Sequence, residues 1–284
     1  MMHPALLKLL FPLLTACCCT SLFGQVINET ETLERPHFEI RTSTATYLYD
    51  RAGGGFSSIR DMNGIEWIGF KPGNGKVPGS AAADFRGLPN LVFRGDDNGA
   101  GHPGFDQCTS SITAHNQVTT ESGSGLWKWT WTFSDQEALL EVIETDTGRN
   151  YWFLYEGTPG GRFDPGHQFW GNSVDGKRAD APPIGSDQTG NGNWKWAFFG
   201  HRDVATTFFV VHVTPDEHND TFSYMGASGE GIESEDGMVV FGFGRSGGTP
   251  LMSGPNRFII GLHEPETGQD PVESLIEHLN KRNQ

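Results

Sequence analysis

The chain has 284 residues, and its 20 lysines and arginines against 35 aspartates and glutamates give a net charge of −15. Such an acidic surface repels nucleic acid and anionic lipid, so we expect no nucleic-acid partner. Beyond the first 24 residues there is one cysteine, Cys108, which predicts no intramolecular disulfide. No apolar run reaches the roughly 20 residues that a transmembrane helix needs.

The first 24 residues have the organisation of a signal peptide. Lys8 is followed by a short apolar core and then by small residues. Cleavage after Gly24 is one expectation. The other is a lipobox, LTAC, which would place a lipid anchor on Cys17. We therefore predict a signal peptide over 1–24 and one domain over 25–284, in a protein that is secreted, periplasmic or lipid-anchored at the outer membrane of a bacterium.

Short segments rich in β-branched and aromatic residues alternate with turns that draw on 38 glycines and 16 prolines. Strands are predicted near 37–42, 44–49, 56–61, 65–70, 110–119, 126–133, 138–145, 150–156, 194–199, 206–213, 221–225, 237–244 and 257–263. The clearest is LWKWTWTF, in which Trp127, Trp129, Trp131 and Phe133 fall on one face. The segment TTFFVVHV is apolar on both faces and predicts a central strand.

One helix is expected, at DPVESLIEHLNKR. Asp270 is placed as its N-cap, Pro271 at the first helical position and Glu273 at the third. Many strands and one helix predict an all-β fold, a sandwich or a barrel, with a short C-terminal helix. The long irregular segments 71–109 and 157–193 are predicted to be functional loops.

The segments YWFLYEGTPGG, HVTPDEHND and MVVFGFGR resemble a family of exported proteins of polysaccharide-degrading bacteria. The resemblance extends over most of the chain after residue 24, from ATYLYDRAGGGFSS to RFIIGLHE. It implies extracellular glycan breakdown on a large single-domain antiparallel β-sandwich, galactose mutarotase-like or jelly-roll-like, with a polysaccharide or oligosaccharide as partner. Most members have no assigned mechanism, so the resemblance carries over no catalytic residue.

The leading functional hypothesis is a polysaccharide lyase that acts on a uronic-acid-containing glycan. β-Elimination needs a cation beside the sugar carboxylate and a base, usually Tyr or His, that takes the C5 proton. Arg94 and Arg162 are predicted to supply the cation, and Tyr155, His102 and His212 are the candidate bases.

Sugar binding is predicted at aromatic side chains that border loops, because a flat ring covers the apolar face of a sugar. Trp170, Trp194 and Trp196 are the candidates, together with the carboxylate of Glu156.

A metal site is a further hypothesis. His212, Asp216 and His218 offer nitrogen and oxygen ligands that Ca²⁺ or Zn²⁺ would use, although their spacing matches no specific metal motif. A solvated acidic turn after a central strand is the competing interpretation.

Two other functions stay open. A glycoside hydrolase would pair Glu156 with Asp96, Asp97 or Asp216. A glycan-binding surface protein would use the same aromatic and acidic groups without catalysis, and the fold alone does not distinguish these hypotheses.

Overall fold

The structure is a computed structural model. It describes residues 25–70, 87–93, 95–97, 99–178, 190–226, 234, 236–266 and 268–282. The predicted signal peptide over 1–24 and its two cleavage sites lie outside the described residues.

Strands dominate the described part of the chain. In chain order they are β1 Val26–Thr32, β2 Arg35–Arg41, β3 Ala45–Asp50, β4 Gly55–Asp61, β5 Cys108–Ala114, β6 Gln117–Ser122, β7 Lys128–Phe133, β8 Glu137–Glu144, β9 Phe153–Gly157, β10 Gln168–Asn172, β11 Gly176–Arg178, β12 Gly190–Gly192, β13 Trp196–His201, β14 Thr207–His212, β15 Asp220–Met225, β16 Met238–Phe243, β17 Arg245–Ser246, β18 Thr249–Pro250 and β19 Asn256–His263. A 3-10 turn covers Pro159–Gly161, and the helix α1 covers Pro271–Arg282.

The strands form two layers. One layer is a nine-stranded antiparallel sheet in the order β11-β10-β13-β14-β19-β8-β7-β6-β5. The other contains two four-stranded sheets, β1-β2-β3-β4 and β12-β15-β16-β9. The segment 87–91 lies between these two sheets, because the carbonyl of Leu88 accepts the N–H of Phe56 in β4 and the carbonyl of Gly87 accepts the N–H of Glu156 in β9. The second layer is therefore continuous as well.

Aromatic side chains fill the space between the layers. Phe56 of β4 meets Trp131 of β7 edge-on at 4.8 Å between ring centroids, and Tyr155 of β9 lies 4.6 Å from Phe208 of β14. Each of the two four-stranded sheets is therefore packed against the nine-stranded sheet by an aromatic contact. The predicted antiparallel β-sandwich is confirmed.

The two patterns singled out in the sequence are explained by these layers. In β7 the predicted aromatic face is buried, since Trp129, Trp131 and Phe133 have no exposed surface. In β14, Phe208 faces the second layer, whereas Phe209 packs on the opposite side of the sheet among residues of α1. A strand covered on both sides needs apolar residues at every position, and this accounts for TTFFVVHV.

The predicted C-terminal helix and its cap are confirmed. Asp270 Oδ1 accepts the N–H groups of Val272 at 2.9 Å and Glu273 at 3.0 Å. The buried face of α1, with Leu275 and Leu279, covers the outer side of the nine-stranded sheet. Among the residues that the structure describes, no helix has the length and apolarity to cross a membrane.

Two predicted strands differ from those observed. Residues 110–119 are not one strand but the hairpin of β5 and β6, which turns at 115–116. Residues 65–70 contribute one isolated bridge, between Glu66 and Arg60, instead of a strand. Glu66 uses its carboxylate to accept the N–H groups of Ile59 and Ile68, so side-chain hydrogen bonds replace a regular ladder there.

Candidate functional site

Tyr155, the first candidate base, is a core residue. Its side chain has no exposed surface, and its hydroxyl donates to the carbonyl of Trp67 at 2.7 Å. Burial, with a smaller contribution from the charge of Glu66, raises the pKa of Tyr155 well above its ordinary value. A phenol in this position does not fit the predicted role, because a polysaccharide cannot reach it.

The other residues predicted around that cleft are also enclosed. Glu156 is 3 % exposed and its Oε2 accepts a hydrogen bond from Asn90 Nδ2. His102 is 1 % exposed, and burial lowers its pKa to about 4. Neither side chain fits a role in direct contact with substrate. Arg94 lies outside the described residues.

The three tryptophans predicted to stack on sugars pack in the interior instead. Trp170 stacks on Phe222 with 4.3 Å between ring centroids, and Trp194 stacks on Phe241 at 5.9 Å. Trp196 belongs to the cluster under α1. All three are at most 3 % exposed, so the prediction of sugar platforms is corrected: bordering a loop in sequence did not place these rings at the surface.

The predicted metal ligands do not form a ligand cluster. His212 is 2 % exposed, and its Nε2 is hydrogen-bonded to Asn256 Oδ1 at 2.8 Å. Its ring stacks on Phe258. Asp216 turns its Oδ1 to the backbone N–H of His218, as in an ordinary acidic turn. The competing interpretation of this segment, a solvated turn, fits the geometry better.

A different group of side chains converges after β9, and it includes the predicted Arg162. The carboxylate Oδ2 of Asp164 is its centre: it lies 2.9 Å from His167 Nδ1, 3.2 Å from Arg162 Nη2 and 3.6 Å from His201 Nε2. The rings of His167 and His201 are stacked at 5.8 Å. We name Arg162, Asp164, His167 and His201 the Asp164 cluster.

The local chain conformation fixes the Asp164 cluster. The carbonyl of Asp164 accepts the N–H groups of His167 and Gln168, which closes a tight turn. The side-chain amide of Gln168 donates to the carbonyls of Pro159 and Arg162 and so holds the preceding loop. These bonds fix the course of the loop that follows β9, so that it lies beside His201 at the end of β13.

Burial divides the cluster into an inner and an outer half. The side chains of Asp164 and His201 are 10 % and 2 % exposed, whereas those of His167 and Arg162 are 52 % and 55 % exposed. Desolvation raises the pKa of Asp164, but the hydrogen bond from His167 and the charges of His167, Arg162 and His201 outweigh it, so the pKa is lowered. The outer half presents an imidazole and a guanidinium to solvent on a chain that is otherwise strongly acidic.

Of these four residues the sequence analysis named Arg162 alone, and it did not join that residue to the other three. Asp164 and His167 share the turn DPGH, which is a recognisable signal, whereas His201 is 34 positions further along the chain than His167. Only the pairing of β10 with β13, which sets Gln168 opposite His201, brings the two segments together.

A separate surface cavity of about 420 Å³ lies beside α1. His263 and His278 line it, but their ring nitrogens are hydrogen-bonded to Ser274 and Glu137, which attach α1 to the sheet. No residue of the Asp164 cluster lines this cavity, and we assign it to helix packing.

No protein-family model matches the chain, and no curated protein matches it in sequence. Among solved structures, HI1317 aligns with a TM-score of 0.54 and 12 % identity over 92 % of this chain and 100 % of its own. The candidate mutarotase YeaD from Salmonella typhimurium aligns at 0.52 and 12 % over 84 % and 94 %. A galactose mutarotase-like protein from Lactobacillus casei aligns at 0.47 and 11 %, over 80 % and 100 %. The chain shares its β-sandwich fold with HI1317 and with the candidate mutarotase.

Proposed function

We propose that this chain is an exported, carbohydrate-active protein that cleaves a uronic-acid-containing glycan by β-elimination at the Asp164 cluster. One observation carries the proposal: an exposed guanidinium, Arg162, and an exposed imidazole, His167, are held side by side by one nearly buried carboxylate. The fold is shared with a candidate mutarotase, which supports a sugar as the class of ligand. The resemblance to exported proteins of polysaccharide-degrading bacteria supports a polymer.

Arg162 is proposed as the group that binds the substrate carboxylate. One of its terminal nitrogens, Nη2, contacts Asp164, which leaves further N–H donors of the planar guanidinium for a second carboxylate. Neutralising the uronate carboxylate makes the adjacent C5–H more acidic, and this is the first requirement of β-elimination.

His167 is proposed as the base. When its Nδ1–H donates to Asp164, the lone pair of the neutral imidazole is on Nε2. Nε2 takes the C5 proton, the electron pair of that C–H bond forms the C4=C5 double bond, and the C4–O bond breaks. The departing oxygen takes a proton from solvent or from the imidazolium. Asp164 does not touch substrate in this scheme and acts as a positioning residue.

The test is turnover on a panel of uronic-acid and neutral polysaccharides, followed by the absorbance of unsaturated uronate and by new reducing ends. We expect both signals on one uronate polymer. His167→Ala should lower kcat by about 10²-fold or more, the usual contribution of a positioned base. His115→Ala, at an exposed turn between β5 and β6, is the matched control and should leave the rate unchanged.

Other outcomes would replace the proposal with one of its alternatives. Reducing ends without absorbance would indicate hydrolysis, and glycan binding without either signal would indicate a binding protein. Full turnover by both His167→Ala and Arg162→Ala would show that elimination, if present, occurs elsewhere on the molecule.

A further inference from the structure

Three potential metal-ligand atoms converge in the Asp164 cluster. One potential ligand atom from each of Asp164, His167 and His201 lies within 4.8 Å of the other two. Zn²⁺ binds such atoms at about 2.0–2.2 Å, which separates neighbouring ligands by roughly 3–3.5 Å. The observed separations from Oδ2, 2.9 Å to His167 and 3.6 Å to His201, agree with that spacing.

The buried member of the cluster points independently to a ligand. His201 is 2 % exposed, and its Nε2 has no hydrogen-bond partner although it faces Asp164 Oδ2. Buried polar atoms without a partner are uncommon, because leaving one unsatisfied is costly. A metal ion bound between these two atoms would give His201 Nε2 the partner that it lacks.

We propose that Asp164, His167 and His201 form a binding site for a divalent transition-metal ion, with Zn²⁺ as its best representative. Two imidazole nitrogens and one carboxylate oxygen suit Zn²⁺ and its first-row neighbours, whereas Ca²⁺ and Mg²⁺ prefer oxygen ligands throughout. Three protein ligands would leave a fourth coordination position open.

Asp203 is the candidate for the outer support that metal-bound histidines usually have. Its backbone N–H donates to His201 Nδ1 at 3.2 Å, which places a ring proton on Nε2. A metal on Nε2 requires the proton on Nδ1 instead, and the Asp203 carboxylate, 3.8 Å away, would have to move closer to accept it. We expect Asp203→Asn to weaken binding about 10- to 100-fold.

Arg162 should weaken metal binding, because its guanidinium contacts Asp164 Oδ2 at 3.2 Å and repels a second cation. Arg162→Met is therefore expected to tighten Zn²⁺ binding, while the same change removes the carboxylate partner of the proposed elimination. One further consequence rests on the proposed function: a metal on His167 Nδ1 displaces the proton shared with Asp164, so bound Zn²⁺ should inhibit turnover.

The experiment is a calorimetric titration of the tag-free chain over residues 25–284 with Zn²⁺ after chelator treatment, without glycan. We expect one Zn²⁺ per chain in the wild type, at least a 100-fold loss of affinity in His167→Ala, and tighter binding in Arg162→Met. His167 is half-exposed, so its substitution should leave the fold intact. His218→Ala is the matched control, and it also tests the metal site that was predicted from the sequence at His212, Asp216 and His218.

Stoichiometric binding that survives His167→Ala, or that is lost in His218→Ala, would overturn the assignment, and so would the absence of one-to-one binding in the wild type. Unchanged or weaker binding in Arg162→Met would contradict the proposed contact geometry. Because the titration contains no glycan, its failure leaves the elimination proposal untouched, and a failure of the glycan assay leaves the metal site untouched.

Discussion

Asp220, at the start of β15, is a buried carboxylate that makes the stability of the folded state depend on pH. It is 3 % exposed, and its two oxygens accept the backbone N–H groups of Trp194 and Gly244. Desolvation nevertheless dominates and raises its pKa to about 7. In the unfolded chain it ionises near 3.8, so between these values the folded state binds more protons and stability falls as the pH rises.

We therefore predict that Asp220→Asn becomes more stable relative to wild type as the pH is raised. From pH 5 to pH 8 the difference in free energy of unfolding should move by about 3 kcal/mol in favour of the variant, since one pKa unit corresponds to about 1.4 kcal/mol. Denaturant unfolding at both pH values measures it. Asp106→Asn, at a 74 % exposed carboxylate, is the control, and a parallel pH profile for both variants would contradict the prediction.

The exposure of individual side chains was the property that the sequence predicted least well. Trp194 and Arg162 both border loops in sequence, yet one is buried and the other is half-exposed. Side chains at strand ends differ in exposure according to the layer that covers them, and that layer is built from distant segments. Tyr155 was predicted correctly to lie at a strand end, but Phe208 of β14 covers its ring, with 4.6 Å between the ring centroids.

At the scale of elements, the loop after β9 depends on a close approach to β13. Gly160 has a φ of +79°, and a Cβ added there would lie 2.4 Å from the Cβ of His201. Gly64 has nearly the same φ, +80°, with no atom within 4 Å of such a Cβ. An alanine at either position would carry the strain of a left-handed conformation, but only an alanine at 160 would also press on His201 of the Asp164 cluster.

Gly160→Ala should therefore destabilise the protein more than Gly64→Ala and should weaken Zn²⁺ binding by displacing His201. The shared strain, roughly 1–2 kcal/mol, cancels in the comparison. Thermal melts and the zinc titration together measure the two effects. Equal melting temperatures with unchanged zinc affinity in both variants would show that the loop does not position His201.

Strands and helices were predicted correctly where the residues of the segment itself carried a clear signal, either a period-two pattern or a helix cap. The alternating aromatics of β7 and the cap of α1 at Asp270 needed no tertiary information. The short strands β10 and β11 were missed because their residues, such as those of QFWGN, carry little period-two signal. The metal-type cluster depends on β10, so it was missed with that strand.

At the scale of the whole molecule, α1 covers an apolar patch on the nine-stranded sheet that includes Phe198 and Phe209. Leu275 is fully buried in this contact. We predict that Leu275→Ala costs about 2–5 kcal/mol, the range for truncating a buried leucine, and that it promotes association through the uncovered patch.

Thermal melts with light scattering measure both effects, with Asn280→Ala on the exposed side of the helix as control. If the two variants melt at the same temperature and scatter light equally, α1 is not needed to cover the sheet.

The position of β19 has a consequence for how the protein is made. This strand pairs with β14 on one side and with β8 on the other, so it closes the gap between two groups of strands that come earlier in the chain. Until residues 256–263 have joined the sheet, β8 and β14 both present open backbone edges. Such edges readily pair with foreign strands. A folding intermediate that lacks β19 is therefore expected to be prone to aggregation.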